Sequence, residues 1–408
     1  MKYLIFILMI FIHTFFAKSQ VINNFKEDGN YLKTLKNLKA KESNFETLVQ
    51  IGDIYQQIGS PKKAVKNYKK ALNIKEDITV KLKLAKSFLQ SNQRENAIKI
   101  YQEILSQNQN NLLLKYRLAN LYYQNKNYKK SEALFLELVQ KDTNNASFYY
   151  KLASVYTNLK DYNNAISNYK KVVVLDTTNY KSYYHLAKTY RKLKEIDSTK
   201  LYLKKGLIYN QYDEKLNQLQ VKVAIKAKDY PTVITSVKRL DSIKKATPFY
   251  KNLLGIAYYH NKEYHKAKKV FEKLFSARNV QDDTFYYLGL SYKALEKPKL
   301  AKKCFMLSIY SKRPSVDKEY YQIAMLYKAQ NKPKKAIEFL KKSLKEKKYN
   351  PEVLYELGML TEKFYKDKTI ALKYYQEYIS NFESLHPKRT QFILQQINKI
   401  KTALFMQK

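Results

Sequence analysis

The sequence predicts an all-α solenoid of about ten helix-turn-helix repeats with capping helices at its ends, and three observations predict it. First, a small or slim residue recurs at Gly52, Ala85, Ala119, Ala153, Ala187, Val221, Gly255, Gly289, Ala324 and Gly358. The steps between these anchors are 33, 34, 34, 34, 34, 34, 34, 35 and 34 residues. Second, each anchor carries the same companions at helical spacing. Third, the 408 residues hold only seven glycines and eight prolines, as a nearly all-helical chain with short links requires. A unit of this length cannot bury its apolar face alone, so copies must stack into one continuous core. No Gly/Ser/Pro-rich linker or low-complexity tract interrupts the array.

Taken in chain order, residues 1–19 differ from the rest. Met1-Lys2 is a positive start, Tyr3 to Ala17 is apolar apart from His13 and Thr14, and Ala17-Lys18-Ser19 has a small-x-small form. This reads as a secretory signal peptide with Gln20 as the new N-terminus, the alternative being an uncleaved anchor. Fifteen apolar residues fall short of the ~20 that span a bilayer, so no transmembrane span is expected in the mature chain. No cysteine follows, which excludes a lipoprotein attachment there. The expected location is exported, periplasmic or secreted. Residues 20–44 carry Tyr31, Leu35 and Leu38 at helical spacing and read as an N-terminal cap or half repeat.

The repeats occupy 45–382. One residue before nine anchors stands an aliphatic, from Ile51 and Leu84 to Leu357, and Gln220 breaks the rule. Three after the anchor stands an aromatic in eight repeats, such as Tyr55, Phe88, Tyr122, Tyr156, Tyr190 and Tyr258. These residues form the apolar stripe of a first helix. Twelve after the anchor the chain is small again at Ala64, Ala97, Ser131, Ala165, Ala267, Ala301 and Ala336. Four further on come Tyr68, Tyr101, Phe135, Tyr169, Phe271, Phe305 and Leu340, the stripe of a second helix. Polar links such as Ile58-Gly59-Ser60-Pro61 and Glu296-Lys297-Pro298 join the two. Residues 383–408 form a terminal capping helix with Ile393, Ile397, Ile400 and Leu404 on one face, an amphipathic membrane-surface helix being the alternative.

Leu254-Gly255-Ile256-Ala257-Tyr258, followed by Tyr264, Ala267 and Phe271, resembles the tetratricopeptide repeat family. The resemblance runs from about Phe45 to about Phe382 and implies a right-handed superhelix with second helices on the convex side. The chain departs from the family in carrying Lys81, Lys115 and Lys251 four before the anchor, where an aromatic is common. The closing proline is largely missing, with Pro314 and Pro351 the nearest survivors. The register of the sixth repeat, with Gln220, Val221, Ala224 and Val233, is open, as is that of the tenth, where Ala371 stands thirteen after Gly358.

The charge is large: 77 basic against 35 acidic residues, a net +42. Only seven of the 77 are arginine, the residue that phosphate and base recognition favours, so nucleic acid is disfavoured as a partner. The abundance of Asn, Ile, Tyr and Phe without Trp fits an AT-rich genome, which would enrich lysine as well. Lysine pairs such as Lys62-Lys63, Lys129-Lys130 and Lys341-Lys342 fall on second helices and read as a solvated convex face.

Catalytic signals are absent: there is no Gly-rich phosphate loop, nucleophile elbow or zinc spacing, and His260 and His265 lie five apart, off a common helix face. No catalytic residue, metal or cofactor is expected. A lone cysteine, Cys304, forms no internal disulfide and reads as a small buried apolar residue.

The informative residues face the groove. In the resembled family this surface is lined from three before, one after and four or five after the anchor. Three before, the chain places Tyr116, Tyr150, Tyr184, Tyr286, Tyr321 and Tyr355, six tyrosines in ten positions. They read either as a ligand-binding stripe or as packing against the neighbouring repeat. Asn120, Tyr123, Ser154, Thr157 and Asn158 make the early groove neutral and polar. Lys181, Lys188, Arg191, Lys192, Lys222 and Lys226 make its middle basic, and Ile256, Leu290, Met325 and Met359 make its end apolar. The expected function is a non-enzymatic protein–protein interaction scaffold of the bacterial cell envelope. It would bind an acidic or aromatic peptide segment or partner protein in its concave groove. The alternative is a surface-adhering structural protein whose convex lysines hold anionic envelope lipid or polysaccharide.

Overall fold

The computed structural model describes residues 29–40, 44–311 and 315–406. The signal-peptide reading of 1–19 and Pro314 lie outside them. Among the described residues there are 22 helices and no strand. The chain is an all-α solenoid that divides into two compact units, the first ending at Glu195 and the second beginning at Ile196.

The first unit opens with α1 (Gly29–Lys39), where Leu35 is buried and Tyr31 exposed. Four helix pairs follow: α2 (Phe45–Gln57) with α3 (Pro61–Ile74), α4 (Ile78–Gln90) with α5 (Arg94–Gln107), α6 (Leu112–Gln124) with α7 (Tyr128–Lys141), and α8 (Ala146–Leu159) with α9 (Tyr162–Leu175). The unit closes with α10 (Tyr180–Lys192). The second unit begins with α11 (Ile196–Tyr209), the second helix of the fifth repeat. It continues as α12 (Glu214–Lys226) with α13 (Tyr230–Ser242), α14 (Pro248–His260) with α15 (Tyr264–Ser276), and α16 (Thr284–Ala294) with α17 (Pro298–Ser311). The last pairs are α18 (Asp317–Ala329) with α19 (Pro333–Glu346) and α20 (Pro351–Phe364) with α21 (Thr369–Phe382), before the longer α22 (Pro387–Phe405). On α22 the residues Ile393, Ile397 and Ile400 are buried against Tyr375 and Tyr378.

The anchors are small because an aromatic ring lies on them. A Cβ added at Gly255 would stand 2.6 Å from the ring of Phe271, and one at Gly289 2.6 Å from Phe305. Tyr68 lies in the same way against Gly52, and Tyr375 against Gly358. These four rings have no solvent exposure. The sixth repeat keeps the register by exchanging sizes: Val221 is larger than the other anchors, Val237 replaces the aromatic sixteen on, and both are fully buried. Its irregular Gln220 accepts a hydrogen bond from the Ser236 hydroxyl at 3.0 Å. In the tenth repeat the four-residue link Tyr365–Lys368 delays the second helix by one, so Ala371 and Tyr375 fill the buried positions thirteen and seventeen after Gly358.

Two periodic devices close the helices. At the end of first helices, nine repeats place a left-handed residue seven after the anchor: Gly59, Asn92, Lys126, Lys160, Lys194, Lys228, Lys262, Glu296 and Asn331. The next N–H then reaches back to the carbonyl of the buried aromatic, as in Asn127 to Tyr122 at 2.8 Å and Glu263 to Tyr258 at 2.8 Å. At the start of first helices, Asn44, Asp77, Asn111, Asn145, Asn179 and Asp213, each eight before its anchor, accept from backbone N–H groups of the first turn. Left-handed lysine is strained by about 1–2 kcal/mol, and glycine gives some of this back as chain entropy. Lys160→Gly should therefore raise stability by about 0.5–1 kcal/mol, and Gly59→Ala should lower it by a similar amount, as read from denaturation midpoints.

The three lysines that replace an aromatic four before the anchor are ion-paired. Lys81, almost fully buried, meets Glu103 at 2.6 Å and Glu76 at 2.8 Å. Lys115 pairs with Glu137, and Lys251 with Asp241 at 3.0 Å. The Glu103 contact first, and Glu76 second, hold the Lys81 ammonium above its ordinary range. A raised lysine stabilises the fold in full at neutral pH, and that contribution disappears as pH climbs past the ordinary lysine value. Unfolding midpoints should fall more steeply above about pH 10.5 in the native chain than in Lys81→Met, which keeps the apolar stem without the charge.

Candidate partner-binding groove

In the first unit, first helices α4 and α6 stand in neighbouring repeats and present the same offsets side by side. Leu82, Lys86 and Leu89 of α4 face Tyr116, Asn120 and Gln124 of α6 across a groove of about 670 Å³. Thr79, Lys83, Arg117 and Leu121 also line it, as does the buried Tyr101 of α5. The stripe three before, one after and four or five after the anchor is therefore continuous across these two repeats.

The groove is lined by both apolar and basic side chains. Lys86 and Arg117 are exposed. Lys83 is neutralised locally by Asp53 at 2.7 Å, and Asp53 is itself held by the Tyr68 hydroxyl, which donates to it at 2.6 Å. Burial pushes the Tyr101 hydroxyl up, while the Arg117 guanidinium beside it pulls the other way. The Asn120 amide donates to the Tyr116 carbonyl at 2.7 Å, fixing its orientation. Besides the ion-paired Lys83, two cations, three leucines and two tyrosines thus converge on one cleft.

The tyrosines three before the anchor are all half-buried. The rings of Tyr116, Tyr150, Tyr184, Tyr286 and Tyr355 each meet an aromatic or cationic neighbour. Tyr116 sits 6.0 Å from Phe135 and 5.7 Å from Phe148. Tyr150 meets Tyr169 edge-on at 5.7 Å, and its hydroxyl lies 3.0 Å from His185 Nε2. Tyr286 lies 5.9 Å from Phe305, and Tyr355 is covered by the Arg389 guanidinium at 4.7 Å. Tyr184 carries the Lys188 ammonium over its ring at 5.8 Å, while Tyr321 is half-buried with its hydroxyl pushed up by burial. Tyr123 is tied to Asn158, whose amide donates to its hydroxyl at 2.9 Å. Arg191 and Lys192 are exposed, the latter with its ammonium 5.2 Å from the Tyr162 ring. Lys181, Lys188, Arg191 and Lys192 belong to the first unit, whereas Lys222 and Lys226, both exposed, belong to the second.

The groove residues Lys83, Arg117 and Tyr101 were not in the sequence-derived stripe. The first two stand two before their anchors, a position one helical turn from the stripe at one after, and that periodicity would have found them. Tyr101 was assigned to the core alone. Several convex lysines also have structural work: the ammonium groups of Lys63, Lys130, Lys266 and Lys335 lie 5.5–5.7 Å from the rings of Tyr55, Tyr122, Tyr258 and Tyr327.

Family models of the tetratricopeptide repeat match residues 88–155 and, repeatedly, 45–78, 146–179, 250–280 and 320–350. The chain belongs to the tetratricopeptide repeat family. Tetratricopeptide repeat proteins bind protein partners and are generally non-catalytic scaffolds. The chain is similar to a solved MamA fragment from Desulfovibrio magneticus RS-1 at 18% identity, over 42% of this chain and 97% of that one, with a TM-score of 0.38. It is similar to a tetratricopeptide repeat protein from Parabacteroides merdae ATCC 43184 at 15% identity, over 70% and 98% of the two chains, with a TM-score of 0.35. Pseudomonas aeruginosa PilF matches at 18% identity over 54% and 96%, with a TM-score of 0.39. No curated protein matches the sequence. Among the described residues no cluster of three or more His, Cys, Asp or Glu could hold a metal, and no helix is long and apolar enough to cross a membrane.

Proposed function

We propose that this tetratricopeptide repeat protein is a non-enzymatic scaffold of the bacterial cell envelope that holds an acidic, partly apolar segment of a partner protein in its concave face. The observation that carries the reading is the groove between α4 and α6, where Lys86 and Arg117 line the same cleft as Leu82, Leu89 and Tyr116. Carboxylates spaced among aliphatic or aromatic side chains complement such a surface, since cations beside apolar side chains select both charge and shape. The tyrosines of the following repeats, with Lys188, Arg191 and Lys192, extend the same chemistry along the array. Export rests on the N-terminal apolar stretch. The alternative, anionic envelope surface held by convex lysines, is weakened where those lysines are engaged over aromatic rings. The test is fluorescence anisotropy with a labelled peptide of alternating glutamate and leucine. The native protein should bind it, and Lys86→Glu/Arg117→Glu should not. Equal binding by both proteins would contradict the assignment.

A further inference from the structure

The second-helix rings that lie on the anchors are tyrosine in some repeats and phenylalanine in others. Phe135, Phe271 and Phe305 stand sixteen after their anchors with no solvent exposure, and Tyr68 holds the same place after Gly52. Packing against the anchor needs only the ring. The Tyr68 hydroxyl adds a polar tie: it donates to Asp53 Oδ1 at 2.6 Å and lies 3.3 Å from Gln56 Oε1, both on α2 of the same repeat. A hydroxyl–carboxylate contact of this length is a charge-assisted bond, about twice as strong as a neutral one.

Asp53 uses its two oxygens differently. Oδ1 takes the Tyr68 bond, and Oδ2 pairs with Lys83 Nζ on α4 at 2.7 Å. The Tyr68 ring is locked in the core against Gly52, whereas the Lys83 and Asp53 side chains are 34% and 36% exposed. Ion pairs of that exposure contribute little, so another carboxylate can take the lysine at small cost. Lys83 lines the groove between α4 and α6 three residues before Lys86, and therefore beside it on the helix, with Arg117 on α6. It is a third cation of this cleft, held in the free protein by a carboxylate of the chain itself.

We propose that the groove accepts a third ligand carboxylate on Lys83, in place of Asp53, and that Tyr68 sets this preference by keeping hold of Asp53 once the lysine has left. The proposal rests on the groove being the ligand site. A segment with two acidic residues meets Lys86 and Arg117 and leaves the Asp53–Lys83 pair intact, whereas a third acidic residue near Lys83 exchanges one ion pair for another. Without the hydroxyl the exchange would strand Asp53 beside an acidic ligand. With it, Asp53 keeps one charge-assisted bond in both states. Tyr68 is a positioning residue, acting on the ligand only through Asp53 and Lys83.

The test compares the affinity of the labelled glutamate–leucine peptide for the native chain, Tyr68→Phe, Asp53→Asn and Tyr68→Phe/Asp53→Asn. Tyr68→Phe supplies the ring already present at 135, 271 and 305, so its helical circular dichroism should stay native. It should bind the peptide roughly threefold to tenfold more weakly than the native chain, because Asp53 then loses its remaining bond when Lys83 leaves. Asp53→Asn should bind more tightly, and adding Tyr68→Phe to it should change nothing. If Lys83 stays on Asp53 in the complex, Asp53 has the same contacts in both states and Tyr68→Phe binds as the native chain does. That result would overturn the proposal and leave the groove reading standing. An equal loss from Tyr68→Phe in both backgrounds would also overturn it, since the hydroxyl would then act by another route. No binding by the native protein would instead sink the groove reading, and this proposal with it.

Discussion

Gly255→Val is expected to destabilise the second unit by about 1–3 kcal/mol, the cost of forcing extra volume into a packed core. The added Cβ alone would stand 2.6 Å from the ring of Phe271, which has no solvent exposure and no room to withdraw. The sixth repeat shows how the same space can be filled otherwise, with Val221 at the anchor and Val237 in place of the ring, both fully buried. Gly255→Val/Phe271→Val should therefore be more stable than the sum of its two single variants allows. Phe271→Val alone leaves a cavity, and the valine at 255 grows into it. A double-mutant cycle by chemical denaturation should return a favourable coupling of about 1–3 kcal/mol. Additive losses would mean that the anchor and the ring do not share one space.

The second large effect concerns the groove. Replacing Lys86 and Arg117 by glutamate puts like charge where acidic side chains of the ligand would sit, and like charges brought together across an interface cost several kcal/mol. Affinity for the glutamate–leucine peptide should fall on the order of a hundredfold or more at low salt. The neutral pair Lys86→Gln/Arg117→Gln should lose less and should flatten the salt dependence, because fewer charges are screened. Asp53→Asn offers a separate check: it removes the carboxylate that neutralises Lys83 while keeping an oxygen for the Tyr68 hydroxyl. The peptide should bind Asp53→Asn more tightly than it binds the native chain.

Much of this fold is legible from spacing because one steric relation recurs in every repeat. A ring needs a small partner opposite it, so Gly52, Ala119, Gly255 and Gly289 mark the first helices, and Tyr68, Phe135, Phe271 and Phe305 mark the second. The sixth repeat blurred the pattern because volume is conserved there as a sum, with Val221 and Val237 each moving toward the middle. The turns were legible as polar links but not as left-handed corners, since Lys126, Lys160 and Lys262 stand where glycine would announce the conformation. Buried Lys81 looked like a lost aromatic, and its role depends on Glu103, twenty-two residues away, which no local pattern connects to it.

The groove was legible as a stripe but not as a cleft. Tyr116 and Asn120 lie on its wall as the offsets placed them, yet Lys83 and Arg117 enter from the adjacent helical row and Tyr101 from the core. Reading one row of a helix face omits what the next row contributes when two helices stand side by side. The tyrosine count alone also could not distinguish packing from recognition. Tyr116, Tyr150 and Tyr286 give one side of the ring to a neighbouring aromatic and remain half-buried.

The central claim is that a partner segment lies along the first helices of the second and third repeats. It is tested most directly by photocrosslinking in intact cells, with a photoreactive amino acid placed in turn at Lys86, at Asn120 and at the exposed second-helix residue Lys129. The same partner protein should be captured from Lys86 and from Asn120 and be absent at Lys129. Capture from Lys129 at equal yield, or from neither groove position, would contradict the account.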